Sequence, residues 1–253
     1  MKKIIPIIVI VAAIMFGLIF TKNTLASAAI SAGVNAVTGL GMKMRSVDVG
    51  IVKTLINIKG LKIYNPRGFS DRVMADIPEL YIDYDLGALF KGNVHLEKMK
   101  LNLKEFVVVK NQKGELNLDS VKVVKSKKDG AAAKAGRKKE GLPEVKIDIL
   151  EIKIDKVIYK DYSKGMPPII KEFSVNINER YENITNLHTL ASLVMFKALA
   201  HTRIAGLADF NIGLLREGLD SILYTATKKI IVEGVGGAAK GVIKSLEGIF
   251  KQK

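Results

Sequence analysis

The sequence predicts an α+β protein: an N-terminal transmembrane helix, a curved and mainly antiparallel β-sheet, and amphipathic helices towards the C-terminus. Three observations predict it. An uncharged apolar run occupies Ile4–Phe20, apolar and polar residues alternate with period two from about Met44 to Ile177, and helical spacing takes over after Glu182. The chain has 253 residues and 48% of them are apolar, which is enough for a sizeable core and excludes global disorder.

The run Ile4–Phe20 follows Met1-Lys2-Lys3 and spans 17 residues. At 1.5 Å per residue it makes roughly 25 Å of helix, at the short end of what crosses a hydrocarbon core. Pro6 falls in the first turn, where its missing N–H does no harm. Two readings stand, an uncleaved anchor and a cleaved signal peptide, the latter suggested by the small residues of Leu25-Ala26-Ser27-Ala28. Both imply export. Lys2 and Lys3 favour a cytoplasmic N-terminus, with the body on the far side.

Residues 24–40 place Leu25, Ala29, Ala32, Ala36 and Leu40 at helical spacing, a modest helix leaving the membrane. Alternation then dominates. Leu80, Ile82, Tyr84 and Leu86 share one face of a strand over Pro78–Phe90, and Met99, Leu101 and Leu103 share one over Asn93–Lys110. Glu115–Val124, Val145–Tyr159 (with Ile147 and Ile149) and Phe173–Ile177 read as further strands. The phase slips at Glu97-Lys98 and at Leu150-Glu151, which predicts bulges. Seven or eight half-buried strands suit an antiparallel sheet with one wet face, whose dry face needs a cover.

Ser126–Gly141 carries six basic residues, two acidic residues and three glycines, and reads as a disordered loop over 126–141. It is either a solvated insertion or a patch that touches anionic headgroups. Beyond it, Asn186–Arg203 and Asp209–Thr227 read as helices. Lys228–Lys253 reads as a glycine-weakened amphipathic helix, which either caps the sheet or lies in a membrane interface. The organisation expected is therefore an anchor or signal over 1–22, a β-sheet domain over 23–180 and a helical region over 181–253.

The composition narrows the function. A net charge of +15 points to an anionic partner, but there is no Trp, aromatics make up 6%, and export removes the chain from nucleic acid. Zero cysteines exclude disulfides and thiolate metal sites. His95, His188 and His201 are too scattered to suggest a metal site, and residues 234–241 (GVGGAAKG) imitate a phosphate loop only poorly. Asp83/Asp85 and Asp148/Glu151 sit on strand faces assigned to water. Asn183-Ile184-Thr185 matches a glycosylation sequon of a kind common by chance. No catalytic, metal or cofactor site is expected, and the chain reads as a non-enzyme.

One stretch is more specific. In Ile58–Asp71 a strand ends at Ile63 or Tyr64, Asn65-Pro66 turns the chain, and Gly68 precedes Phe69. With the preceding anchor and the following segment 78–101, the residues Gly60, Leu61, Ile63, Asn65, Pro66, Gly68 and Phe69 resemble the N-terminal region of the AsmA-like family of envelope proteins. Asp85-Leu86 and Leu89–Gly92 match as well. The resemblance covers about residues 1–120 well and 140–180 loosely. It implies a taco-like β-groove related to bridge-like lipid-transfer proteins, a bacterial inner-membrane anchor with the body in the periplasm, and a part in lipid traffic and outer-membrane homeostasis.

The chain departs from the family in length and lacks its second conserved region. Eight strands at about 4.8 Å give a groove of roughly 40 Å, short of an envelope gap. Local lipid handling, assembly with further chains, or a structural role is then expected rather than autonomous bridging. Lining the groove would be Leu80, Ile82, Tyr84, Leu86, Leu101, Leu103, Ile147 and Ile149, with phospholipid as the ligand. The competing reading makes the same residues an ordinary core under the C-terminal helices, in a membrane-tethered scaffold that works through protein partners.

Overall fold

The structure, a computed structural model, describes residues 4–128, 145–220 and 222–224, with side chains from Thr21 onward except at 126 and 127. The long helix α1 (Ile4–Thr38) leads into β1 (Met42–Lys43), β2 (Ser46–Gly50), β3 (Leu55–Tyr64) and β4 (Val73–Tyr84). A short helix α2 (Leu86–Phe90) precedes β5 (Val94–Lys110). A 3₁₀ turn (Asn117–Ser120) and α3 (Lys122–Lys128) lie before β6 (Val145–Asp161), and β7 (Ile169–Ile184) ends the sheet. The helices α4 (Leu187–Ala200), α5 (Ile204–Ala208) and α6 (Gly213–Arg216) follow among the described residues. The α+β class and the curved, mostly antiparallel sheet are as expected, with seven strands in the order β1-β3-β4-β5-β6-β7 and β2 beside β1 on the same edge of β3.

One pairing breaks the antiparallel pattern. β5 and β6 run parallel over their whole length, from Val94↔Val145 to Lys110↔Asp161. A parallel pair needs a crossover rather than a hairpin. The described part of that crossover is helical where the sequence suggested a strand. Glu115–Val124 makes only one isolated bridge, Lys110↔Leu116, before the 3₁₀ turn and α3. Leu116, Leu118, Val121 and Val124 are all buried, so this short apolar segment satisfied the two periods about equally and packing decided. α3 also takes in residues 126–128 of the predicted loop, and the rest of that loop lies outside the described residues, as does Lys228–Lys253. Of Asp209–Thr227, only α6, Asp220 and residues 222–224 are helical among those described.

The inner face of the sheet carries one large apolar cluster, in which α1, α3, α4 and α6 pack against β2–β7. Two transverse creases bend the strands around it. Along the first, inward residues change parity: Ile58 to Leu61 in β3, Ile77 to Leu80 in β4, Leu103 to Phe106 in β5 and Ile154 to Val157 in β6, all in the same cluster. Gly60 turns at this crease with φ +61°, and the register between β6 and β7 slips at Ile154/Lys156. The second crease runs from Leu96 and Met99 through Ile147 and Leu150 to Ile184 and Tyr181. Glu97 is the extra residue there, since Asp83 pairs with Lys98 and Tyr84 with Leu96. The predicted slip at Glu97-Lys98 is thus a bulge. The slip in β6 lies earlier than predicted, between Ile147 and Leu150, and costs no register with β5 or β7. Bulges of this kind bend a strand and raise its twist.

Three further expectations are corrected. β4 ends at Tyr84 rather than running to Phe90, because the Asp85 carboxylate caps α2 by accepting from the Ala88 N–H at 3.0 Å. The inward stripe of α1 is Ala26, Ile30, Val34 and Val37 rather than Leu25, Ala29, Ala32 and Ala36; Leu25 is 62% exposed. The β-branched Ile30, Val34 and Val37 take the buried face in place of Ala29, Ala32 and Ala36, while Leu40, just past the helix, is buried. Finally, no helix among the described residues is long and apolar enough to cross a membrane, and the side chains of Ile4–Phe20 lie outside those described. The described part of the fold therefore lends the expected transmembrane span no support.

Candidate functional site

The described helices cover most of the sheet's inner face but do not fill it. Between α1, α4 and strands β3–β5 lies an apolar cavity of about 170 Å³. Its floor is Leu61, Ile77, Leu80, Leu101, Leu103 and Phe106, and its roof is Gly33, Val34 and Val37 of α1 with Leu190, Ala191 and Val194 of α4. Thr38 supplies the one hydroxyl on the lining, and that hydroxyl donates to Val34 O at 2.7 Å. With no free polar group among the described lining residues, the chamber holds water poorly; dry cavities of about 150 Å³ bind benzene-sized ligands. This one has room for a short length of alkyl chain, on the order of six carbons.

The roof owes its shape to small residues. Gly33 and Ala191 face the chamber where larger side chains would close it, and a Cβ on Gly33 would come no nearer than 3.9 Å to Leu187. The Asn186 side chain starts α4 by accepting from the Thr189 N–H at 2.7 Å. At its far end α4 is tied to the sheet by Lys197, whose Nζ lies 2.8 Å from the Glu179 carboxylate on β7. Tyr181 donates to the same carboxylate. Burial pushes the Glu179 carboxyl up, but the hydrogen bonds from Lys197 and Tyr181 outweigh it and leave the group below its ordinary value.

The predicted lining residues are treated unequally. Leu80, Leu101 and Leu103 line the chamber, whereas Ile82, Tyr84 and Ile147 are buried in the surrounding core and Leu86 packs half-buried against it. Ile149 does not share their face: it lies past the second crease, is half-buried and joins neither apolar cluster. The roof residues were missed as a lining. Leu187, Leu190 and Val194 had the helical spacing of a buried stripe, but nothing in that spacing says a chamber lies beneath.

The turn motif is structural. Asn65 N–H donates to Arg72 O at 2.9 Å, and its amide group donates to Asp71 O at 2.9 Å. Its side-chain oxygen accepts from the buried Asn117, which also donates to Val107 O at 2.8 Å. Gly68 has φ +99°, and Phe69 folds onto the outer face of the sheet over Val107, Val109, Ile158 and Tyr162. Asp71 receives Lys160 and the Tyr162 hydroxyl; burial and that hydrogen bond push the Tyr162 phenol up to about 12. Gly60, Leu61 and Ile63 supply the crease and part of the chamber wall. Seven motif positions thus close one end of the sheet and bend it.

His95 lies far from the other histidines in sequence, and the fold sets it between two carboxylates. Nε2 lies 2.8 Å from Asp148 and Nδ1 lies 3.3 Å from Asp85, with Lys146 on the far oxygen of Asp148 at 2.8 Å. Hydrogen bonding to Asp148, and less to Asp85, raises the imidazole pKa. The Asp85 carboxyl is lowered by the Ala88 N–H and by His95, and that of Asp148 by Lys146 and His95. The cluster ties α2 to β5 and β6.

A second cavity of about 510 Å³ on the outer face is bordered by Glu79, Tyr81, Lys98, Lys100, Glu151 and Lys153. Glu151 takes Lys98 at 2.6 Å and Lys100 at 3.5 Å, an arrangement of solvated ion pairs. Among the described residues no group of three or more His, Cys, Asp or Glu is placed to hold a metal ion. Comparison with known protein families, with characterised proteins and with solved structures returned no match to this chain.

Proposed function

We propose that the chain is a membrane-anchored, non-enzymatic protein of the bacterial cell envelope that handles lipid by taking part of an acyl chain into the chamber between α1, α4 and the sheet. The observation that carries this reading is the chamber itself. About 170 Å³ of apolar space, half open to solvent, leaves its walls exposed, and a hydrocarbon occupant that buries them gains roughly 25 cal/mol for each Å² removed from water. The turn over Ile58–Asp71 resembles that of AsmA-like proteins, and the uncharged run Ile4–Phe20 supports an inner-membrane anchor with the body in the periplasm. With the inner face mostly roofed, the role is retention of one chain segment rather than an open conduit.

Native mass spectrometry of the full chain, released gently from membranes, tests it. The expected spectrum shows one phospholipid retained per chain. A folded body that carries no lipid, and takes up none when offered, contradicts the proposal.

A second reading, a tethered scaffold working through protein partners, draws on the fact that most predicted groove residues are packed core. It predicts that reversing the exposed charges of Lys100, Lys104 and Lys153 abolishes function in cells while substitutions in the chamber leave it intact.

A further inference from the structure

Both ends of the sheet display large apolar side chains to solvent, with Met166, Ile169 and Ile170 exposed at the β6–β7 turn, but α1 passes only the other end. In the β2–β3 turn Ile51 is 44% and Val52 97% exposed, and in α2 Leu89 is 50% and Phe90 83% exposed. The two loops close the same end: Leu55 pairs with Asp83, the Tyr84 N–H donates to Thr54 O at 2.9 Å, and the Tyr84 hydroxyl donates to Gly50 O at 3.1 Å. Backbone bonds from Lys91 to Ala88 O and from Gly92 to Leu89 O, each 3.0 Å, hold the α2 tip in shape. Lys53 and Lys91 are exposed beside these residues. The nearest carboxylates sit back from the tip: Asp83 is level with Leu55, Asp48 with Asn57, and Asp85 is engaged with Ala88 and His95.

α1 passes this same end. Asn23 accepts from the Val49 N–H at 3.0 Å and Lys22 donates to Val49 O, so residues 22 and 23 are level with the end of β2. From there α1 continues without a break to Ile4, roughly 27 Å further at 1.5 Å per residue. The uncharged run Ile4–Phe20 therefore departs from the body at the end where Val52 and Phe90 are displayed.

We propose that this end of the sheet is a bilayer-contact surface, with Val52 and Phe90 as apolar wedges and Lys53 and Lys91 facing anionic headgroups. Apolar side chains rimmed by lysines are what an interfacial element presents to an anionic membrane. The proposal rests on the anchored reading above and deepens it: the body sits upright on the membrane, with the β2–β3 turn and α2 at headgroup depth.

The chain contains no cysteine, so single labels can be placed at will. The full chain is reconstituted in nanodiscs of phosphatidylethanolamine and phosphatidylglycerol, with an environment-sensitive fluorophore on Val52→Cys, Phe90→Cys, Ala12→Cys or Met166→Cys. Quenching is read with lipids brominated near the headgroup or deep in the tails. The expected result is headgroup-depth quenching at 52 and 90, deep quenching at 12, and none at 166, which sits in the turn at the opposite end of the sheet. Lys53→Glu with Lys91→Glu should reduce quenching at 52 in anionic discs to its level in uncharged phosphatidylcholine discs. Deep quenching at 12 without quenching at 52 and 90 overturns the contact surface and leaves the anchor standing. No quenching at 12 refutes the anchor, and the contact surface then stands only if 52 and 90 are still quenched.

Discussion

Replacing Ala191 with leucine would place three more carbons in the roof of the chamber. Ala191 is half-buried on α4, packs against the core and faces the cavity of about 170 Å³. Three carbons at ~0.8 kcal/mol each give about 2.4 kcal/mol as an upper bound, and imperfect fit leaves about 1–2 kcal/mol. For a chain of this size that raises Tm by about 2–8 °C. Thermal unfolding of the full chain, followed by circular dichroism in a fluorinated surfactant whose tails are poor mimics of hydrocarbon, measures it. The same substitution should reduce lipid retention, because side chain and ligand compete for one volume. With saturating alkyl ligand the wild type gains stability by mass action and the difference narrows. If Ala191→Leu instead destabilises by more than about 1 kcal/mol while lipid retention is unchanged, the roof is already close-packed and the chamber reading is wrong.

Three other outcomes follow from the fold. Gly60→Ala should cost about 1–2 kcal/mol in a urea titration, because φ is +61° there and the new Cβ would lie 3.0 Å from the Arg45 Cβ. Glu179→Gln should destabilise by about 1–3 kcal/mol, since it leaves Lys197 without its counter-charge in a partly buried site. The folded Glu179 pKa is lowered, so its contribution is present above the unfolded value of about 4.3 and is lost as pH falls through the folded one; the variant's acid limb should be flatter. His95→Gln acts at the other end of the scale. The folded His95 pKa is raised, so its contribution is complete below the unfolded value of about 6.5 and disappears as pH rises through the folded value. Urea midpoints between about pH 5 and pH 9 should fall across that window for wild type and stay level for the variant.

Much of the sheet was legible because one face is buried and the other wet, which writes a period of two into the sequence. Leu101 and Leu103 inside against exposed Lys100 and Lys104 outside are read directly. The Glu97 bulge was legible for the same reason, as a break in phase. Strand partners were not, since alternation carries no information about neighbours, and the parallel β5–β6 pair could not be read. Ile149 was misplaced because the β6 crease falls ahead of it, and counting by twos through a crease puts a residue on the wrong face. The chamber is a gap between three elements. Its floor was visible as Leu80, Leu101 and Leu103, but its roof depends on how α1 and α4 lie across the strands. His95 meets a carboxylate 53 residues away, a contact that no local spacing announces.

The most direct test of the chamber is photo-crosslinking in membranes with a phospholipid that carries a diazirine along its acyl chain, followed by peptide mapping of the adducts. The account predicts adducts on Met99, Leu101, Val194 and Met195, on both floor and roof, and their loss in Ala191→Leu. Adducts confined to the N-terminal run, with none on the chamber walls, would contradict it.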